Sequence, residues 1–281
     1  RNKEKLEDPV DQRTLTARYT EEVIDFIRKS RNQPFFIYLA HTFPHIPLYV
    51  SKQFEGRSKA GLYGDVVEEL DWSTGQILAE LERQGIDNDT LIIFTSDNGP
   101  WFEGSNGEYR GYKGSTGDGA YRVPFFARWP AKIPSGIKSS AMHMNIDLLP
   151  TISAIGGALI PKGHVLDGKN MWRSLQGDSE SPHRVLYFFD NEHISSLRTP
   201  RWKLLLRSYY RQNYVAFDKI HTMPMFEDDY LLLFDFENEY PETYSYAREN
   251  PKVIEEMMGL YAEGITKFSP LAKRPALETI P

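Results

Sequence analysis

A carboxylate and a carboxamide stand side by side at the end of one apolar run in this chain. The run from Thr90 to Ser96 leads directly into Asp97 and Asn98, and a Gly-Pro turn follows. Carboxylate and amide oxygens together favour Ca²⁺ or Mg²⁺ over zinc. Asp97 and Asn98 are therefore candidate metal ligands, although Asp, Asn and Gly equally favour a simple tight turn.

Two further polar side chains lie in loops beside apolar runs. His45 follows the run at 34–40 within a Pro-rich loop, and Lys113 lies in the Gly-rich loop at 101–119. A hard cation, a histidine and a lysine together suit an anionic tetrahedral substrate, because metal and Lys hold its oxygens while His gives a proton to the departing alcohol. Taken singly, such a lysine is usually only solvated, and the neighbouring His41 equally suits a capping or core position.

Helix and strand patterns alternate along the first part of the chain. Apolar residues repeat at helical spacing over 14–29 and 63–82, whereas the runs at 34–40 and 90–96 predict strands, the latter covered on both faces. This alternation is typical of a parallel sheet with crossover helices, whose ligands bind beyond the carboxyl ends of the strands. We therefore expect the four candidate side chains to face one hollow at that edge.

Two more elements complete the predicted sheet domain. The segment 122–130 predicts a third strand, and 144–155 predicts a helix. Asp147 lies near the start of that helix, where a carboxylate is better explained as a cap than as a metal ligand.

Beyond residue 170 the pattern becomes that of a small antiparallel sheet. Short strand-like runs separated by turn residues occupy 185–189, 203–206 and 230–235. A terminal helix is predicted at 251–267, and the tail from Ser269 is expected to wrap the surface or to be mobile. We assign 1–170 to an α/β catalytic-type domain and 171–281 to a small α+β subdomain.

Composition excludes several classes of protein. The 281 residues carry a net charge of −6, and none is cysteine, so disulfides, thiolate nucleophiles and Cys-based zinc sites are excluded. No apolar run approaches the roughly 20 residues that span a bilayer, so we predict no membrane segment. The acidic balance argues against nucleic acid, and the basic stretch at 198–211 is interpreted as a solvated sheet face.

The ordered motifs resemble the sulfatase family, in particular its arylsulfatase A and N-acetylgalactosamine-6-sulfatase branch within the alkaline-phosphatase-like superfamily. The resembling segments are 34–47, 63–71, 89–99, 111–124, 144–151, 166–168 and 233–242. Lys113 to Pro124 is similar to the family's Lys-Gly-Thr-Thr-x-Glu-Gly-Gly-x-Arg-x-Pro. The resemblance implies a mostly parallel α/β sheet flanked by helices, plus a small C-terminal antiparallel sheet with a terminal helix.

The resemblance also implies roles for the candidate residues. It makes Asp97 and Asn98 ligands of Ca²⁺, with Mg²⁺ less favoured, and it makes Lys113 and His45 catalytic residues that contact the sulfate, His45 on the leaving-group side. It implies hydrolysis of an aryl or carbohydrate sulfate ester by a secreted, periplasmic or lysosomal enzyme. His41 matches no motif residue.

The departures from the family concern the nucleophile. The family uses a formylglycine made from Cys or Ser in Cys/Ser-x-Pro-x-Arg, and neither that motif, an N-terminal Asp-Asp metal pair nor a Lys-x-His segment occurs here. We expect a C-terminal portion that is inactive alone, with formylglycine in a missing N-terminal part. Exposed apolar edges would then serve association with that part or self-association. A phosphodiesterase or phosphonate hydrolase of the same superfamily, and a non-catalytic piece that binds sulfated glycans, stay open as alternatives.

Overall fold

The computed structural model describes the chain in several ranges, and its contacts form two compact units. The described residues are 2–190, 193–207, 209–211, 222–224, 231–238, 241–268 and 270. The units are Arg1–Ile93 with Phe126–Ser135, and Phe94–Phe125 with Gly136–Pro281. Apart from Pro270, the predicted C-terminal tail lies outside the described residues. The predicted domain boundary near residue 170 separates an α/β segment from an α+β segment, whereas the two units are defined by contacts. That boundary stays a prediction.

Five helices and eight strands are present in the described ranges. The helices are α1 (Leu15–Ser30), α2 (Gly61–Arg83), α3 (Leu148–Ile155), α4 (Trp172–Leu175) and α5 (Pro251–Phe268). The strands are β1 (Ile92–Thr95), β2 (Phe125–Arg128), β3 (Leu186–Asp190), β4 (His193–Arg198), β5 (Trp202–Leu205), β6 (Tyr209–Arg211), β7 (Thr222–Pro224) and β8 (Leu232–Asp235). Within these ranges, no helix combines the length and the apolar character that crossing a bilayer requires.

The first unit is built on the packing of α1 and α2, which confirms both predicted helices. Val23, Ile27 and Leu81 form a buried apolar cluster between the two helices. The hydroxyls of Thr20 and Ser73 share a buried hydrogen bond of 2.6 Å. Apolar residues at helical spacing thus place one face of each helix against the other.

The predicted strand at 34–40 is wrong as a hydrogen-bonded strand. Phe35, Ile37 and Leu39 pack against the cluster of Val23, Ile27 and Leu81. Phe36 and Tyr38 point outward, and 66% and 84% of their surfaces are exposed. The segment therefore alternates as a strand does, but it pairs with no other described strand.

The strand that leads to Asp97 is present but is not buried on both faces as predicted. All four residues of β1 are half-buried. Its partner β2 is mostly exposed, and together they form a two-stranded sheet. The apolar run alone therefore overstated the burial of this strand.

The second unit contains the predicted small antiparallel sheet and terminal helix. Four strands pair in the order β3-β4-β5-β8, every pair antiparallel. Leu197, Leu204 and Leu233 are fully buried and pack against Met257 of α5, so the terminal helix covers one face of this sheet. A separate two-stranded sheet pairs β6 with β7.

Candidate active site

The turn after β1 presents the two candidate metal ligands. Asp97 is exposed and Asn98 is half-buried. The Asn98 Nδ2 donates to the carbonyl oxygen of Gly99 at 3.2 Å, so its amide oxygen is the atom available to a cation. The Ser96 hydroxyl donates a long bond of 3.4 Å to Asp97 Oδ1, which leaves Oδ2 of that carboxylate accessible.

This turn is joined to the loop that carries Lys113. The Lys113 amide donates to the carbonyl oxygen of Pro100 at 2.8 Å, and the Gly99 amide donates to Ala120 at the same distance. A Cβ at position 99 would lie 2.1 Å from the carbonyl oxygen of Gly119, so only glycine permits this approach. Three of the four predicted site residues thus lie on two segments that the main chain holds together.

The Lys113 loop, defined as residues 110–120, also folds on itself. The Gly119 amide donates to the carbonyl oxygen of Arg110 at 2.8 Å. A Cβ at Gly117 would lie 2.2 Å from that same oxygen. The Asn106 amide group donates to Gly111 at 2.9 Å. Close backbone contacts, which glycine allows, therefore fix the shape of the loop.

A buried ionic cluster that the sequence did not predict lies against this loop. Lys203 Nζ donates to Glu242 Oε1 at 2.7 Å and to Asp118 Oδ1 at 3.2 Å, and it also donates to the carbonyl oxygen of Thr116 at 2.9 Å. Lys203, Glu242 and Asp118 are 0%, 1% and 2% exposed, and we call them the Lys203 cluster. The interpretation of 198–211 as a solvated face is wrong at Lys203, which is fully buried. The carboxylates that neutralise its charge, Asp118 and Glu242, are far from it in sequence and come close only in the folded chain.

Asp118 remains charged within this cluster. Burial alone would raise its pKa, but the charges of Lys203, Arg198 and Arg122 outweigh burial and lower the pKa to about 2. Arg122 Nε donates to Asp118 Oδ2 at 2.7 Å, and an Arg198 nitrogen lies 3.6 Å from the same oxygen. An ionised, buried carboxylate is thus held within the loop itself, five residues after Lys113.

Three aromatic side chains from the turn and the loop contact one another. The rings of Trp101 and Phe102 are 4.8 Å apart, and those of Phe102 and Tyr112 are 5.0 Å apart. Trp101 directly follows Pro100, and Tyr112 directly precedes Lys113. Phe102 keeps 52% of its surface exposed. We call these three residues the aromatic cluster, and its position makes it a neighbour of the candidate site.

Asp147 has a structural role, although its side chain does not make the capping hydrogen bond to α3 that the prediction required. It is the N-cap residue of α3, but its carboxylate accepts from the amides of Met144 and Lys169 at 3.0 and 2.7 Å and lies 2.7 Å from His183 Nε2. Burial would raise its pKa, whereas His143, His183 and the two amides together lower it. Its oxygens are therefore occupied within the protein.

The two histidines of the Pro-rich loop region lie in the first unit. His45 is exposed, and its Nδ1 lies 2.6 Å from the carbonyl oxygen of Ile46. A carbonyl only accepts, so Nδ1 carries a proton and Nε2 is the nitrogen free for a ligand. His41 is half-buried with Nε2 3.4 Å from the Ser73 hydroxyl, and burial lowers its pKa, as expected for a core histidine.

The oxygen donors of the turn fit part of a calcium site. Asp97 and Asn98 supply two hard oxygens, whereas Ca²⁺ takes about six to eight. Within the described ranges, no three His, Asp or Glu side chains converge as a ligand set. Any cation bound here would thus take further oxygens from beyond this pair.

An α/β chain in which a strand ends in oxygen donors and is tied to a Gly-rich loop with a lysine fits the class of proteins whose ligands bind beyond the carboxyl ends of their strands. The family model named Sulfatase matches residues 1–158, and the chain belongs to the sulfatase family. Human steryl-sulfatase is 39% identical over 209 residues, which cover 70% of this chain and 36% of that protein. Mouse N-acetylgalactosamine-6-sulfatase is 36% identical over 195 residues, which cover 65% of this chain and 38% of that protein.

A solved structure agrees with this assignment. A Bacteroides thetaiotaomicron protein of glycosaminoglycan metabolism is 26% identical and superposes with a TM-score of 0.77 over 92% of this chain and 55% of that one. The predicted alkaline-phosphatase-like α/β fold is confirmed. The chain spans little more than a third of the length of the curated relatives it matches.

Proposed function

We propose that this chain provides the metal-binding and sulfate-binding part of a sulfuric ester hydrolase. The observation that carries the proposal is the main-chain junction between the Asp97-Asn98 turn and the Lys113 loop, made by the 2.8 Å bond from Lys113 to Pro100. The names of the related sulfatases support the same substrate chemistry. An anion that binds at this junction would meet a cation held by oxygens and an ammonium group.

Each candidate side chain has a distinct role in the proposal. Asp97 and Asn98 hold Ca²⁺, or less favourably Mg²⁺, and the bound ion would offset negative charge on the sulfate oxygens. Lys113 contributes a compact positive charge to the same oxygens. His45 presents Nε2 to the oxygen of the leaving alcohol and, when protonated, gives it a proton.

These 281 residues do not contain the motif from which the family makes its nucleophile. They contain no cysteine and no Ser-x-Pro-x-Arg motif. We therefore expect this chain alone to bind a sulfate ester without cleaving it. The formylglycine that the family resemblance implies would have to be supplied outside this sequence.

We further propose that the leaving group is aromatic. The aromatic cluster joins the same two segments as the candidate site, and the Phe102 ring is 52% exposed. A flat ring stacked on an aromatic side chain gains about 0.5–1.5 kcal/mol beyond its buried area. An aryl sulfate would place its ring on this cluster while its sulfate meets Lys113.

Ligand titration of the purified chain tests the sulfate site. We expect calorimetry to show Ca²⁺-dependent binding of 4-nitrophenyl sulfate, and Lys113→Ala to weaken it about tenfold, since a charge-assisted bond is lost. Lys252→Ala, at an exposed position of α5, is the matched control and should bind as wild type. Equal loss in both variants, or tighter binding of phenyl phosphonate than of the sulfate, would contradict the proposal. Turnover by this chain would show that a nucleophile lies within it.

Comparing two anions tests the aromatic leaving group separately. Phe102→Ala should weaken 4-nitrophenyl sulfate about threefold to tenfold and leave inorganic sulfate unchanged. Phe36→Ala removes a similarly exposed ring outside the aromatic cluster and serves as control. If a sulfated monosaccharide binds more tightly than the aryl ester, and Phe102→Ala does not change its dissociation constant, the leaving group is a sugar.

A further inference from the structure

The Lys203 cluster lies outside every role assigned so far, yet it contacts the loop that carries Lys113. We propose that Lys203, Asp118 and Glu242 are positioning residues, which set the height and direction of the Lys113 ammonium. This role rests on the proposed function, because it takes Lys113 as the sulfate-binding group. The three residues touch no substrate themselves.

The contacts hold the loop on both sides of Lys113. On one side, Arg110 Nη1 donates to the backbone carbonyl of Glu242 at 3.1 Å. On the other, the Asp118 amide donates to Glu242 Oε2 at 2.7 Å, and Lys203 Nζ reaches the Thr116 carbonyl at 2.9 Å. The loop is thus fixed before and after Lys113 by contacts to Glu242, which follows β8, and to Lys203 of the small sheet.

That sheet provides a rigid base. Lys203 lies in the middle of β5, paired on one side with Arg198 of β4 and on the other with Phe234 of β8. Glu242 follows β8 after a short connection and is itself buried. A loop held by a fully paired strand moves less than a loop held by other loops.

The backbone of Glu242 adopts an unfavourable conformation where it contacts Lys203 and the loop. Its φ is +54°, in the left-handed region that a residue with a side chain seldom adopts. The bend allows its carboxylate to meet Lys203 and the Asp118 amide together. Strain of this kind persists where the surrounding structure requires a particular geometry, and it clusters at functional sites.

The presence of buried charges in the cluster also favours a role in positioning the loop over a role in stabilising the fold. Apolar side chains of equal volume often stabilise a fold as well as a buried ion pair does, since removing charges from water is costly. An ionic cluster with defined hydrogen-bond directions, in contrast, admits one arrangement of the loop. It also gives a function to the segment 233–242, which resembled the family without an assigned role.

The test compares two buried carboxylates of the same sheet region. Glu242→Gln removes the charge that Lys203 meets. Asp235→Asn is the matched control, because Asp235 is 2% exposed and pairs with Arg201 at 2.8 Å without contacting the loop. Both variants are studied at a temperature where circular dichroism shows them folded. The measurements are the dissociation constant of inorganic sulfate and the hydrogen-exchange rates of amides 111–120.

We expect Glu242→Gln to weaken sulfate about tenfold and to speed exchange selectively in the loop, since a displaced binding group loses much of its effect. Asp235→Asn should lower the melting temperature and leave both measurements unchanged. Equal effects of the two variants at equal loss of melting temperature would overturn the proposal.

Hydrogen exchange separates this inference from the proposed function. If the wild-type chain binds no sulfate, the proposed function fails, while faster exchange confined to 111–120 in Glu242→Gln would still support the positioning role. If Glu242→Gln does not fold, Lys203→Met is measured in the same way. A loop that exchanges as in wild type in the folded variant would refute the role of the cluster.

Discussion

The amide nitrogen of Lys113 lies 2.8 Å from the carbonyl oxygen of Pro100, so main chain joins the segment of the candidate cation ligands to that of the candidate anion-binding ammonium. A main-chain junction is less variable than one between flexible side chains, because it has fewer free torsions. The arrangement therefore depends on backbone shape, above all on glycines that allow close approach.

Replacing Gly99 tests this junction. Gly99→Ala places a Cβ 2.1 Å from the carbonyl oxygen of Gly119, so the turn and the loop must separate. We expect a loss of about 1–3 kcal/mol in unfolding free energy and loss of sulfate binding. Gly259→Ala, at an exposed position of α5 with no atom near its added Cβ, should instead stabilise by about 0.5–1 kcal/mol. Urea unfolding measures both, and an unaltered Gly99→Ala protein would contradict the close contact.

Calcium should stabilise the chain through Asp97. A ligand at one hundred times its dissociation constant adds about 2.7 kcal/mol to the stability of the folded state. Asp97→Asn keeps the shape but removes the charge, so the rise in melting temperature with Ca²⁺ should largely disappear. Glu255→Gln, on the exposed face of α5, should keep the full rise. A rise of equal size in both variants would place the cation elsewhere.

Acid should destabilise the protein through Asp118. Its pKa falls from 3.8 to about 2 on folding, so its charge contributes stability above the unfolded value and that contribution is lost as the pH falls from about 4 towards 2. The contribution is roughly 2 kcal/mol. Asp118→Asn should be less stable at neutral pH and should lose less further stability over this range.

Salt provides the control for this pH dependence. The ion pairs of Asp118 are buried, so added salt should screen them little and leave the acid-induced loss in place. Unfolding titrations at low and high ionic strength measure this directly. A pH dependence that salt abolishes would assign the effect to surface charges.

The core of the first unit depends on Leu81. It is fully buried and packs on Val23 and Ile27 of the facing helix. Leu81→Ala should cost about 2–5 kcal/mol, since it removes apolar contact and leaves a cavity. Leu62→Ala, on the same helix but 45% exposed, should change stability by less than about 1 kcal/mol. Chemical unfolding of the two variants compares them, and similar losses would show that the helices do not pack as described.

Regular elements with clear periodicity were predictable from sequence. The repeats in α1, α2 and α5 predicted helices within two residues of the observed ends. Gly85 has φ +69° directly after the cap residue of α2, a left-handed conformation that glycine adopts readily at helix ends. β4 was missed because Ser195 and Ser196 interrupt its apolar pattern, although both are fully buried in the structure.

The candidate site was only partly predictable for a physical reason. Asp97, Asn98 and Lys113 are named by local motifs, and local sequence also creates the glycine contacts between their segments. The Lys203 cluster, in contrast, joins residues that are far apart in the chain. The sequence alone does not distinguish a buried lysine from a solvated one. Its partners become visible only when strands pair, and the placement of His45 relative to these residues stays a prediction.

The long reach of Glu242 has a consequence for biosynthesis. It binds the Asp118 amide across 124 residues of chain, and Lys203 binds Thr116 across 87. A ribosome would therefore finish the loop well before it makes the groups that shape it. The nascent loop must stay flexible until the small sheet has emerged, so truncation before Glu242 should leave the proposed sulfate-binding loop unordered however well the earlier helices have folded.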